Sequence, residues 1–423
     1  MEEIDVPSHF LCPISLQLMR DPVTVRTGIT YDRENIETWL FSCKDRTCPV
    51  TKQFIFDTDL TPNHTLRRLI QAWCNLNASF GIERIPTPKP PVNKIQIARL
   101  LSEANQSPQN HLKCLTRLRS IAFESDGNKI YLESAGAIEF LASALKLSSG
   151  RDTQVDDDDE CTTDDDECTT VMSSEEAALE VLYHLKPSES HIKSLISNEG
   201  IKFIESLIQI LRSGNYQSRA YATILLKSAF GVADPSQLIN VRTELLAELT
   251  RVLRDKISQQ ATKAALKLVV ELCPWGKNRI KAAESGVAEV LIEMLLEAWE
   301  RRVCELILIA LDQLCGCAEG RAEVVKHGAG MAIVSKKILR VSHVATDRGV
   351  KILSSIGRYS GNARVIHEML QVGAVCKLCL VLQVEASLKT KERAKELLKL
   401  HSNVWSISPC IPPPLLQSYP SSN

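Results

Sequence analysis

Phe10-Leu11-Cys12-Pro13-Ile14, Cys48-Pro49-Val50-Thr51-Lys52 and Pro62-Asn63-His64-Thr65-Leu66-Arg67 decide the fold of the first eighty residues. They read as two surface loops around a small core. A helical run from Arg33 to Leu40 lies between the loops, and a second carries Leu66, Leu69, Ile70 and Trp73. Ile36, Leu40, Leu66 and Ile70 fall on core-facing positions, and Asp32 and Asn63 stand where they would N-cap the two helices. The loops lack a zinc ligand set. Cys12 is followed at the CxxC position by Ser15 and Cys48 by Thr51, with no His between them at the tight spacing of a cross-braced pair. Neither metal nor cofactor is expected.

A chain of 423 residues is too long for one ordinary core and suits one compact and one extended unit. Its 50 basic and 51 acidic residues nearly cancel, and no Lys/Arg block marks a nucleic-acid footprint, so the expected partners are proteins. No apolar run is long enough to span a membrane, and Met1-Glu2-Glu3 is unlike a signal peptide. A soluble, cytoplasmic protein without stable membrane insertion is expected, with a nuclear pool left open. The 14 cysteines sit mostly in apolar helical patterns, as Leu314-Cys315-Gly316-Cys317 does, and read as reduced core thiols. Cys376-Lys377-Leu378-Cys379 is a lone pair read as core.

Ile85-Pro86-Thr87-Pro88-Lys89-Pro90-Pro91 cannot continue a helix and favours polyproline geometry, which sets a linker over 82–95. Helical spacing then runs over 96–400, before a C-terminal tail over 401–423. Within it Gly136, Gly200, Gly286, Gly328 and Gly373 recur at intervals of 64, 86, 42 and 45 residues, each expected between helices. A period of about 42 fits armadillo or HEAT repeats. The longest interval spans two repeats, one near residue 243 lacking its glycine. The first carries an insertion, about 150–172, whose acidic run Asp156 to Thr170 is expected to be disordered. Stacked repeats of this kind build a curved superhelix with a long concave surface. The positions of an armadillo peptide-binding Asn ladder read Arg119-Ser120, Tyr183-His184, Asp312-Gln313, Ser354-Ser355 and Glu271, which speaks against a generic main-chain clamp and for recognition of a specific folded or helical surface, the alternative being that these side chains are simply solvated.

The motifs Cys12-Pro13-Ile14-Ser15, Asp21-Pro22-Val23, Gly28-Ile29-Thr30-Tyr31-Asp32-Arg33 and Ile36-Glu37-Thr38-Trp39-Leu40 resemble a U-box, the zinc-free relative of the RING domain, over 7–81. With the repeats behind it, the chain resembles the plant U-box/armadillo ubiquitin ligases. The resemblance implies a small α+β domain followed by an all-α solenoid, and an E3 ligase that recruits a ubiquitin-charged conjugating enzyme and holds a protein substrate on its repeats. It implies a loop framework of hydrogen bonds and salt bridges, for which Cys12, Ser15, Asp21, Asp32, Arg33, Cys48, Thr51 and Asn63 are the candidates. It places Ile14, Leu16, Trp39, Pro49 and Lys52 against the conjugating enzyme, with the Lys52 cation restraining the bound conjugate. No covalent step through Cys12 or Cys48 is expected. Plant stress or immune signalling is the setting this family suggests. Thr61 and Thr87 precede prolines, and Thr162 and Thr163 precede acids, which makes them candidate phosphosites. A homo-oligomer is left open, as is a non-catalytic armadillo scaffold whose U-box only mediates assembly.

Overall fold

A computed structural model describes residues 6–42, 47–55, 60–78, 82–83, 85, 94–106, 108–124, 126–145, 173–417 and 419–420. Thr87, Thr162, Thr163, the acidic insert and residues 84 and 86–93 of the proline-rich linker lie outside the described residues. By contacts the chain divides into two units, Met1–Phe140 and Leu141–Asn423.

The first unit begins with a three-stranded antiparallel sheet of order β2-β1-β3, from β1 (Pro22–Thr24), β2 (Thr30–Asp32) and β3 (Thr61–Pro62). Gly28 closes the β1-β2 turn at φ +82°, a conformation that costs a side chain strain. Pro62, which cannot donate to a ladder, sits on the edge strand. Helices α1 (Arg33–Ser42) and α2 (His64–Leu76) cover the sheet. Phe10, Met19, Val23, Tyr31, Ile36, Leu40, Ile55 and Ile70 form the buried centre, with Leu66 and Trp73 against it. Ile82 and Ile85, assigned by the sequence to the linker, also pack on this core. Helices α3 (Lys94–Gln106), α4 (Pro108–Glu124) and α5 (Asp126–Ser134) follow, and α6 spans Ala137–Ala144.

The second unit repeats a helical triplet. Its long third helices, α9 (Tyr216–Val232), α12 (Gln259–Leu272), α15 (Arg301–Leu314), α18 (His343–Tyr359) and α21 (Leu388–Leu400), pack in that order, and α7 (Ser174–Leu185) packs on α9. Between them come α8 (Glu189–Ser213), the pairs α10 (Pro235–Ile239) and α11 (Thr243–Asp255), α13 (Asn278–Glu284) and α14 (Val287–Glu297), α16 (Ala318–Lys326) and α17 (Gly330–Lys337), and α19 (Ala363–Gln371) and α20 (Ala374–Gln383).

The glycine rule holds at most of its positions. Gly136, Gly286 and Gly373 take φ of +84°, +75° and +70° between helices, and Gly328 lies in the turn before α17. Gly200 does not separate helices, because α8 runs through it unbroken. Buried Ile192, Ile196, Phe203, Leu207 and Ile210 continue one face in helical register across it, and that burial outweighs the roughly 1 kcal/mol a mid-helix glycine costs. The repeat without its glycine turns through Asn240-Val241-Arg242. There the fully buried Asn278 donates to the Leu238 carbonyl and accepts from the Val241 N–H.

Residues after Leu400 fold back onto the last repeat. Trp405 is fully buried and its Nε1 donates to the Ile366 carbonyl at 3.1 Å. Asp312, at one of the ladder positions, is buried and faces Arg348 and Lys351 of the following third helix at 2.7 and 2.8 Å, so the solvated alternative does not hold there.

Two glycines separate strain from crowding. A Cβ on Gly320 would lie 2.0 Å from the Leu314 carbonyl oxygen, whereas Gly373 has open space around it. Gly320→Ala is expected to cost about 3 kcal/mol through overpacking and Gly373→Ala about 1 kcal/mol through backbone strain alone. Denaturant melts of the two variants check the order.

Candidate functional site

Two loops share one geometry. In the first, the Cys12 N–H donates to the Gln17 carbonyl at 2.8 Å, the Leu16 N–H returns to the Cys12 carbonyl at 2.8 Å, and Leu16 takes φ +56°. In the second, the Cys48 N–H donates to the Gln53 carbonyl at 2.8 Å, the Lys52 N–H returns to the Cys48 carbonyl at 2.9 Å, and Lys52 takes φ +58°. Isolated bridges Leu11 to Leu18 and Thr47 to Phe54 close the two loops. The signal was present in the sequence as a repeated phrase, Cys12-Pro13-Ile14-Ser15-Leu16-Gln17 against Cys48-Pro49-Val50-Thr51-Lys52-Gln53.

Each loop is tied down through its buried cysteine. Cys12 Sγ accepts from the Asp32 N–H at 3.3 Å, and Asn35 Nδ2 bridges Cys12 Sγ and Ser15 Oγ at 3.7 and 3.1 Å. Cys48 Sγ accepts from Thr27 Oγ1 at 3.3 Å and the Thr51 N–H at 3.5 Å, and it meets the Tyr31 hydroxyl at 3.0 Å. Burial raises the Cys48 thiol, but hydrogen bonds from Thr27, Thr51 and Tyr31 outweigh it and bring the pKa down to about 6. A low-pKa sulfur attacks only where it is accessible; Cys48 is fully buried, and its hydrogen bonds hold the loop. Burial and the neighbouring Cys48 push the Tyr31 hydroxyl upward in turn.

Asp32 does more than precede a helix. Its Oδ1 accepts from the Arg20 and Asp21 N–H groups at 2.9 and 2.7 Å, so this carboxylate anchors the first loop, where the sequence assigned it an N-cap. Asp21 receives Arg33 Nε at 2.6 Å and pairs with Arg67 of α2 at 3.6 Å. Asn63 caps α2 by accepting from the Leu66 N–H at 3.0 Å, and its amide reaches the Thr24 and Thr30 hydroxyls. Trp39 is half-buried against the core and its Nε1 donates to the Thr47 carbonyl at 2.9 Å, bracing α1 to the second loop. Sequence reasoning missed Thr27, Tyr31, Asn35 and Arg67.

The described loop residues expose apolar side chains beside the Lys52 cation. Leu16 and Val50 are 73% and 52% exposed, Ile14 and Pro49 are half-buried, and Ile14 packs partly on the core. Lys52 is exposed and its side chain makes no bond to a described residue. Thr61 is exposed on β3. Among the described residues no group of three or more His, Cys, Asp or Glu could hold a metal ion, and no single helix is long and apolar enough to cross a membrane.

Comparison with known proteins matches residues 6–79 to the U-box domain and 96–421 to the plant U-box protein ARM repeat region. The chain is 52% identical to the E3 ubiquitin-protein ligase PUB23 of Arabidopsis thaliana, covering 99% of this chain and 98% of that one. It is 52% identical to PUB22 of the same plant, covering 99% and 100%, and 33% identical to PUB24, covering 97% and 95%. A chain from the structure described as "A conserved phosphorylation switch controls the interaction between cadherin and beta-catenin in vitro and in vivo" shares the fold at a TM-score of 0.56 and 15% identity, over 81% of this chain and 58% of that one. With a two-loop U-box domain in front and armadillo repeats behind, the chain belongs to the plant U-box/armadillo-repeat E3 ubiquitin-protein ligases, which are RING-like transferases.

Proposed function

We propose that the two loops recruit a ubiquitin-charged conjugating enzyme and that the repeats hold the protein substrate whose lysine receives the ubiquitin. The observation that carries this reading is the matched pair of loops. Side-chain hydrogen bonds fix both, and together they present the apolar side chains of Ile14, Leu16, Pro49 and Val50 beside the Lys52 cation, which bonds to no described residue. An apolar patch on a rigid rim is the usual anchor of a protein interface. Transfer then proceeds directly from the conjugating enzyme to the substrate amine, with this chain contributing proximity and restraint.

Lys52 acts on the bound conjugate more than on docking. Lys52→Ala is expected to leave conjugating-enzyme affinity within about twofold while slowing ubiquitin discharge to free lysine severalfold. A binding titration beside a single-turnover discharge assay measures both. For the substrate, affinity capture with an Ile14→Ala chain should retain proteins that the wild type ubiquitinates and releases. Capture of the same proteins by a chain lacking 173–400 would remove the repeats from this role. The family resemblance supports stress or immune signalling in the cytoplasm, with a nuclear pool, as the setting; imaging of a tagged chain under stress tests it. A monomer mass by light scattering would remove the homo-oligomer from this reading.

A further inference from the structure

A cavity of about 610 Å³ opens between the first turns of α9 and α12. Tyr183 and Tyr221 stack in its wall with ring centroids 4.1 Å apart and an interplanar angle of 20°. Tyr216 stands at its mouth, 68% exposed, with the Arg219 guanidinium 5.9 Å from its ring. Gln217, Gln259 and Gln260 complete the polar lining, and no lining side chain carries a formal charge.

The hydrogen bonds already made leave several donors unspent. Tyr183 donates to Gln260 Oε1 at 3.2 Å, which fixes the amide's orientation and leaves its NH₂. Gln217 Nε2 donates to the Tyr221 oxygen at 2.6 Å, which leaves the Tyr221 O–H. Ser258 Oγ accepts from the Ala261 N–H, which leaves its own O–H, and the Tyr216 hydroxyl bonds to no described residue.

We infer that this cavity binds a proline-rich protein segment in polyproline II conformation; the inference rests on the reading of the repeats as the substrate-holding part and names a substrate class for them. A proline segment offers carbonyl acceptors without N–H donors of its own, and the unspent donors of Gln260, Tyr216, Tyr221 and Ser258 can meet those carbonyls. Flat aromatic rings suit its pyrrolidine faces, as in other grooves that take such segments. A charged peptide would lose hydration with no counter-charge in the lining.

The test is fluorescence anisotropy of a labelled octaproline peptide titrated with the full-length chain, beside length-matched Gly/Ser, poly-Glu and poly-Lys peptides. Octaproline alone should bind. Tyr216→Ala, a change at an exposed side chain, should weaken binding at least tenfold. Gln260→Glu, which replaces the donating amide by an acceptor, should weaken it as much, and Gln260→Asn should recover part of the loss. Circular dichroism confirms that each variant keeps its helices. Equal binding of a charged or Gly/Ser peptide, no octaproline binding at millimolar chain, or an unchanged Tyr216→Ala affinity each overturns the inference. Substrate capture by the chain run in parallel keeps the broader reading separate: capture that survives while octaproline fails removes only the proline assignment.

Discussion

Ile14→Ala is expected to slow ubiquitin discharge from the conjugating enzyme roughly thirtyfold, the equivalent of the ~2 kcal/mol that a central interface anchor contributes. The residue is half-buried against Cys12 and the core, so truncation also removes some internal packing. That loss should stay near 1 kcal/mol, because only part of the side chain leaves an apolar environment. A melt of the variant therefore accompanies the discharge assay. Leu16→Ala and Val50→Ala supply the control that Ile14 cannot: both side chains stand largely in solvent, so their effect on transfer should come with almost no change in melting. Wild-type discharge from a folded Ile14→Ala chain, with Leu16→Ala and Val50→Ala silent as well, would place the recruitment surface elsewhere.

Asp32→Ala should be the most damaging framework substitution. It removes the acceptor of two part-buried backbone N–H groups, those of Arg20 and Asp21, and leaves both without a partner. Each orphaned donor costs about 1–3 kcal/mol, so a loss of about 4 kcal/mol is expected, a large fraction of the stability of so small a core. Asp32→Asn keeps an oxygen at the same place and should lose about half as much. Thermal melts monitored by near-UV signal, together with loss of discharge in Asp32→Ala, check this. A variant that melts within a degree of wild type would show that the bonds to Cys12 and Ser15 and the Asp21 pairs with Arg33 and Arg67 hold the first loop without the Asp32 carboxylate.

Features that depend on neighbours a few residues apart are legible in the chain alone. Helical spacing placed Ile36, Leu40, Leu66 and Ile70 toward a core, and the structure buries or packs all four. The side chain of Asn63 caps α2 from the position just ahead of it. The glycine period located most of the repeat turns, because a left-handed residue between helices is a local requirement. The motifs around Cys12 and Cys48 marked two loops with the residues for hydrogen bonding and without a zinc ligand set.

Tertiary structure decided which of those residues meet. Antiparallel pairing sets Pro22 opposite Asp32, which brings the Asp32 carboxylate to the Asp21 N–H and turns an N-cap candidate into a loop anchor. Tyr31 and Thr27 reach Cys48 across 17 and 21 residues of chain, and Arg348 reaches Asp312 across 36. Gly200 lies within α8 because apolar residues on both sides bury along one face. Periodicity and caps report the conformation of a segment through interactions internal to it. The partner of a buried polar group is fixed only when packing brings distant segments together, since each such group must find a bond somewhere once water is excluded.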